Sequence, residues 1–288
     1  LFLLELTGRE SCIGDNFSLG STRPLVNRGV AEPKGFFMRT AFLIDGGFFL
    51  KRYHRLQGSR TPSEAAHALH RMCLDHLTGR TQGPNPRVRR LSHLYRIFYY
   101  DCPPLTKKAH NPITGRAVDF SRTPLAGWRL QFFEELKKLR KVALRLGYLN
   151  ERSGYWGLSP SALRRLLARE ITRDDLREED VRYEIRQKGV DMRLGLDIAS
   201  LAYKKLVDQI VLVAGDSDFV PAAKLARREG IDFILDPMWS PIRDDLHEHI
   251  DGLRSVFPRP NRIHREVRSL KADIASEATE IGPADGVH

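Results

Sequence analysis

Three cysteines in 288 residues, Cys12, Cys73 and Cys102, are too few and too scattered for a disulfide framework, and their spacing matches no zinc site. No run approaches the ~18 uninterrupted apolar residues that a spanning helix needs, which excludes a helical transmembrane protein. The first residues, Leu1-Phe2-Leu3-Leu4-Glu5, lack a basic flank and carry too short an apolar core for a secretory signal. These shortages point to a reducing, cytoplasmic setting without a membrane. Acidic residues are also scarce, 36 against 47 basic, for a formal net charge of +11. That balance favours polyanionic partners such as nucleic acid, although many basic proteins bind none. What remains is ordinary for a globular chain, 41% hydrophobic and 29% charged, and excludes a wholly disordered one.

Residues 1–37 mix Gly, Ser, Arg and Pro without period, and Met38 directly precedes the first clear strand. They read as a disordered extension or as sequence upstream of the natural start. From residue 40 the order is plain. Thr40–Ile44 is a continuous apolar run ending in Asp45-Gly46-Gly47, the pattern of a buried central strand entering a turn. Phe48–Leu56 reads as a helix. Thr61-Pro62-Ser63-Glu64 is a capping box with Pro at the first helical position, opening a helix to about Leu77. Gly79–Arg90 is a polar loop, Leu94–Tyr100 a second strand, and 105–123 an irregular insertion. A helix follows over Leu125–Leu139, with Trp128, Phe132, Leu136 and Leu139 on one stripe.

Ala143–Leu149 reads as a short strand, and Ser159-Pro160 starts a helix. Val181, Tyr183 and Ile185 alternate with charged residues as in a half-exposed strand. Gly189–Lys205 is helical, Gln209–Ala214 a second buried strand, Asp218–Glu229 a helix, Ile231–Leu235 a strand and Pro241–Leu253 a last helix. Strands alternating with helices predict a three-layer α/β/α sandwich with a mainly parallel sheet. The expected organisation is an extension to residue 37, one domain over 38–257 and a polar tail over 258–288.

Ligands of such sheets bind beyond the carboxyl ends of the strands, where this sequence places aspartates. Asp45 follows the first strand, Asp216 and Asp218 follow Gln209–Ala214, and Asp191 follows the alternating strand. Each has an ordinary explanation: a turn for Asp45, a helix cap for Ser217 or Asp218, a first-turn acid for Asp191. The coincidence of three strand ends carries the functional reading. Crowded carboxylates repel, and an all-oxygen set suits Mg²⁺ or Mn²⁺ as the compensating cation. Such a site serves phosphodiester hydrolysis. Asp197, six residues after Asp191, lies off its helical face and ranks second. Asp101 and Asp236 also end strands, but in Pro-containing turns.

Phe42-Leu-Ile-Asp45-Gly-Gly-Phe-Phe49, Lys188-Gly-Val-Asp191 and Val213-Ala-Gly-Asp216-Ser-Asp218-Phe219 occur in that order. Together they resemble the NYN domain family, the LabA-like or DUF88 group of the PIN-like nuclease superfamily, over about residues 38–257. The resemblance implies a PIN-like fold and a Mg²⁺- or Mn²⁺-dependent ribonuclease. By motif match, Asp45, Asp191, Asp216 and Asp218 would be both catalytic and metal-binding. Many members carry Asn where this chain has Phe48, which removes a polar contact there. Lys188 and Ser217 are second-tier neighbours.

Arg87, Arg89 and Arg90, near Arg96, and Lys137 and Lys138, near Arg140, Lys141 and Arg145, are candidate RNA contacts; charge runs are more often solvated faces. Tyr95, Tyr99 and Tyr100 could stack on bases, but their strand position favours the core. His67, His70, His247 and His249 lack partners for a zinc set. The competing class is an RNA-binding or regulatory adaptor that keeps the fold without cutting. A haloacid-dehalogenase-type phosphatase is disfavoured because Gly47 stands where a second Asp is needed. A dinucleotide-binding dehydrogenase is disfavoured because no Gly-x-Gly-x-x-Gly follows the first strand. RNA, single-stranded or structured, is the expected partner.

Overall fold

The apolar run at the start of the first strand is hydrophobic on both faces because both faces are covered. In the computed structural model, which describes residues 38–78 and 92–258, β1 (Met38–Asp45) lies inside a six-stranded sheet. Ala41 and Leu43 point into one apolar layer and Phe42 and Ile44 into the other, and all four are fully buried. Each such side chain removed from water contributes roughly 1.5–3 kcal/mol for the larger ones. The expectations for residues 1–37, for the loop with Arg87, Arg89 and Arg90, and for the tail past 258 lie outside the described residues.

After β1 come α1 (Gly46–Gln57) and α2 (Pro62–Leu77). The α2 start is the expected capping box: Glu64 N–H donates to Thr61 Oγ1 at 3.3 Å, and Thr61 N–H donates to Glu64 Oε2 at 2.9 Å. β2 (Ser92–Asp101) pairs parallel to β1. The segment expected to be irregular instead forms an antiparallel hairpin of β3 (Lys108–His110) and β4 (Ala117–Asp119). Asn111 turns it, its Oδ1 accepting the amides of Ile113 and Thr114.

α3 (Pro124–Lys138) buries Ala126, Phe132, Phe133 and Leu136. β5 (Val142–Leu146) closes one sheet edge beside β2. β6 (Tyr148–Leu149), β7 (Tyr155–Leu158), α4 (Pro160–Leu167), β8 (Val181–Glu184) and β9 (Gln187–Lys188) follow. They form two antiparallel pairs, β7 with β8 and β6 with β9, outside the central sheet. The alternating strand near residue 183 is therefore not a strand of that sheet.

α5 (Val190–Tyr203) leads to β10 (Gln209–Val213), which pairs parallel to the other side of β1. α6 (Val220–Arg228), β11 (Asp232–Asp236), α7 (Asp244–His247) and β12 (Gly252–Leu253) complete the chain. The helix expected over Pro241–Leu253 is only the four residues of α7; Gly252 and Leu253 instead pair with Ile234 and Leu235. A Cβ at Gly252 would meet Ile234 Cδ1 at 2.7 Å, so glycine admits this edge strand.

The sheet order is β12-β11-β10-β1-β2-β5, parallel throughout. Helices α1 to α3 pack on one face, and α5, α6 and α7 on the other. The expected α/β sandwich is thus observed. The chain runs outward from β1 through β2 to β5, then returns to β10 and runs outward the other way. Its direction reverses between β1 and β10, the place where open α/β sheets bind ligands.

Candidate active site

Asp45 is the last residue of β1 and the N-cap of α1, where its Oδ1 accepts the Phe48 amide at 3.1 Å. The turn explanation and the site placement therefore coincide. Two glycines bring this corner together. A Cβ on Gly46 would sit 2.5 Å from the Tyr99 ring, and one on Gly215 would sit 2.4 Å from Phe48 Cε2. Phe48 packs its ring over the Gly215 backbone beside Asp216. It joins the β1 and β10 ends by apolar contact instead of offering a polar group.

Asp216 and Asp218 follow β10 and are exposed. Asp216 Oδ1 accepts the Asp218 amide at 3.2 Å. The N-cap of α6 is Phe219, with no side-chain cap bond, so Asp218 does not cap that helix. Ser217 opens the short 3₁₀ turn between them. Asp191 does not follow a central strand as expected. It lies in the first turn of α5, after Gly189 takes φ +77°, a left-handed conformation suited to glycine. Two central strand ends and one helix start thus supply the four acids.

The electrostatics tie them together. Burial, with the nearby charges of Asp191 and Asp101, pushes the Asp45 carboxyl up to about 6 against its amide hydrogen bonds. Asp191 is solvent-exposed as a residue, yet its carboxyl is raised, first by partial desolvation and then by Asp216 and Asp218. These are carboxylates without enough positive charge around them. The donor set is all oxygen, as hard divalent cations prefer. Among the described residues, however, no three His, Cys, Asp or Glu side chains stand close enough to hold a metal ion as they are. The donor chemistry fits a cation.

The remaining described candidates make other contacts. Asp197 accepts from Tyr100 Oη at 2.8 Å and Arg145 Nε at 3.0 Å, which commits it to β2 and β5. Lys188 is exposed in β9 opposite Tyr148. Lys137 and Lys138 pair with Glu134 and Glu135 one turn back on α3. Tyr99 and Tyr100 are fully buried. Asp236 is buried and accepts from His76 Nε2 at 2.9 Å, a clamp between α2 and β11.

At this edge the sequence reading set Asp101 aside as a turn residue and missed Arg129. Asp101 ends β2 and is 1% exposed, and it is bound by Arg129 of α3. Arg129 occupies the same helical stripe as Ala126, Phe133 and Leu136, so an isolated arginine on a buried face was the available signal.

A parallel sheet wound both ways from an interior strand, with acids at its reversal point, defines a doubly wound α/β domain with an acidic edge. Residues 119–244 match the model of the NYN domain family, and the NYN domain belongs to the PIN-like nuclease superfamily. Asp191, Asp216 and Asp218 lie inside the match and Asp45 upstream of it. NYN proteins are generally nucleases, and PIN-like nucleases typically use divalent metals. Among solved structures, a protein of unknown function from Vibrio parahaemolyticus is similar at 15% identity with a TM-score of 0.39, over 77% of this chain and 94% of that one. No curated protein matches the sequence. No helix among the described residues is long and apolar enough to cross a membrane.

Proposed function

We propose that this chain is a Mg²⁺- or Mn²⁺-dependent ribonuclease of the cytoplasm that cuts RNA endonucleolytically at Asp45, Asp191, Asp216 and Asp218. The observation that carries the reading is the charge coupling among these acids, gathered from β1, α5 and the β10 loop where the sheet reverses. The NYN match and the +11 charge support it. The four aspartates would hold the cation. When bound, such a cation lowers the pKa of a water and neutralises charge on the phosphate.

The chain's own part follows from its groups. Oδ1 of Asp45 is fixed by the Phe48 amide, leaving Oδ2 to take a ligand or a proton. With the carboxyl raised to about 6, Asp45 accepts a proton near neutral pH more readily than an ordinary carboxylate. Asp191 is tuned in the same direction. Phe48 over Gly215 keeps the β1 and β10 ends in register and shields this side of the corner from water.

A second reading has one observation in its favour. The absence of a ready three-ligand group among the described residues suits an RNA-binding adaptor that no longer cuts. Incubating purified protein with labelled RNA, with Mn²⁺ or with EDTA, separates the two. Metal-dependent cutting supports the nuclease, and binding without cutting under any metal supports the adaptor.

A further inference from the structure

We propose that Arg129 and Arg193 form a subsite that grips a backbone phosphate of RNA beside Asp45 and Asp191, with Asp101 as the residue that positions Arg129. This deepens the ribonuclease reading and rests on it.

Asp101 is a holder and not a fifth acid of the site. A buried carboxylate must be paired, and this one accepts from the Cys102 amide at 2.7 Å, from Tyr99 Oη at 3.2 Å and from Arg129. Arg129 spends only Nη2 on these contacts, on Asp101 and on the Cys102 carbonyl at 3.4 Å. Its Nε is buried without a partner, and Nη1 makes no hydrogen bond among the described residues. A guanidinium carries five N–H donors in a planar fork, and burying donors unmet is costly. With Nε buried and Nη2 committed, Nη1 is the donor this partly exposed side chain keeps for an acceptor from outside.

Arg193 approaches from the other helix layer. It lies two residues after Asp191 in the first turn of α5, is exposed, and is held by Nη1 donating to the Gly189 carbonyl at 3.1 Å. A Cβ on Gly147 would lie 3.1 Å from Cys102 Sγ and 2.6 Å from the Lys188 carbonyl, so the Cys102 end of β2 that Arg129 touches adjoins the Lys188–Gly189 turn that holds Arg193. Asp45 stands in register with Tyr100, at the same edge of the sheet. Neither arginine is ion-paired to any of the four site aspartates. An RNA strand crossing a repulsive acidic site needs cationic contacts on its neighbouring phosphates, and arginine suits them by its fork geometry.

The test measures binding of a labelled single-stranded oligoribonucleotide to the full chain in EDTA across a salt series. The variants are Arg193→Gln, Arg193→Lys, Asp101→Asn, and Arg129→Gln combined with Asp101→Asn, which leaves no unpaired buried carboxylate. Each lost phosphate contact should flatten the slope of log K against log salt by ~0.7. Arg193→Gln and the double variant should each show that flattening, and Arg193→Lys should keep the wild-type slope. Asp101→Asn alone, which leaves Arg129 charged, should weaken binding at unchanged slope; unchanged affinity would remove Asp101 from the role. Wild-type slopes in both charge-removing variants would overturn the subsite, even if the wild-type protein cuts RNA with Mn²⁺. Failure of the wild-type protein to bind or cut RNA would overturn both the subsite and the ribonuclease reading.

Discussion

Replacing Asp45 by asparagine keeps the shape of the residue and its helix cap, since asparagine is as good an N-cap as aspartate and its Oδ1 can still accept the Phe48 amide. What it removes is a buried negative charge beside Asp191 and Asp101. The folded protein raises this carboxyl from 3.8 to about 6. At ~1.36 kcal/mol per pKa step, ionising it in the folded state costs about 3 kcal/mol. An acid with a raised folded-state pKa binds its proton more tightly folded than unfolded. Its contribution therefore costs nothing below about pH 4, grows as pH rises through about 6, and is complete above that. Asp45→Asn should melt higher than wild type by ~6–12 °C at about pH 8, using ~2–4 °C per kcal/mol for a chain of this size. The gap should nearly vanish at about pH 3.5, below the unfolded-state pKa. Mg²⁺ or Mn²⁺ at about pH 8 should raise the wild-type melting temperature more than the variant's. Differential scanning fluorimetry at the two pH values decides it. A variant melting at or below wild type at about pH 8, or a gap that does not shrink in acid, would refute the assignment of a destabilising buried charge to Asp45.

Other consequences follow from neighbouring contacts. Gly215→Ala should push a methyl into the Phe48 ring, destabilise by about 1–3 kcal/mol and slow any RNA cleavage by shifting Asp216; a Phe48→Ala change in the same chain should recover part of the rate. His76→Ala removes the hydrogen bond to the buried Asp236 and should cost about 1–3 kcal/mol in urea denaturation by leaving that carboxyl without this partner, a loss that distant surface changes would not match. Thr61→Ala removes the α2 cap and should cost about 1 kcal/mol in the same assay.

The parts of the fold that were legible are those encoded by local pattern. β1 and β10 are short unbroken apolar runs, which only a strand covered on both faces explains, and the acids just past them were found by the strand-end rule. The α2 capping box was readable in four residues. The antiparallel pairs were not. The alternation at Val181–Glu184 specifies a half-exposed strand, but its partner, β7, is more than twenty residues away, and nothing local tells it from a central strand. Asp191 was therefore placed at a sheet strand's end, whereas it lies in the first turn of α5. The Pro241–Leu253 segment reads as one helix by its apolar spacing, yet its end is claimed by parallel pairing to β11, a tertiary preference that overrides propensity. Asp101 looked like a turn residue because its partner, Arg129, lies on a helix that only the fold brings to β2. Of the basic runs, Lys137 and Lys138 ion-pair with glutamates on their own helix, and Arg87, Arg89 and Arg90 lie outside the described residues.

The central claim is that the coupled aspartates at the sheet's reversal point cut RNA with a divalent cation. The most direct measurement incubates the full chain with a mixed pool of labelled RNAs and single-stranded DNA, with Mn²⁺ or with EDTA, beside an Asp216→Asn protein shown to be folded. Asp216 is exposed and makes only a local turn contact, so its replacement should leave stability within about 0.5 kcal/mol of wild type. The account predicts RNA cleavage with Mn²⁺, none with EDTA, and none by the variant under either condition. Cleavage that survives in Asp216→Asn, or a folded wild-type protein that binds RNA and leaves it intact under every metal, would contradict it.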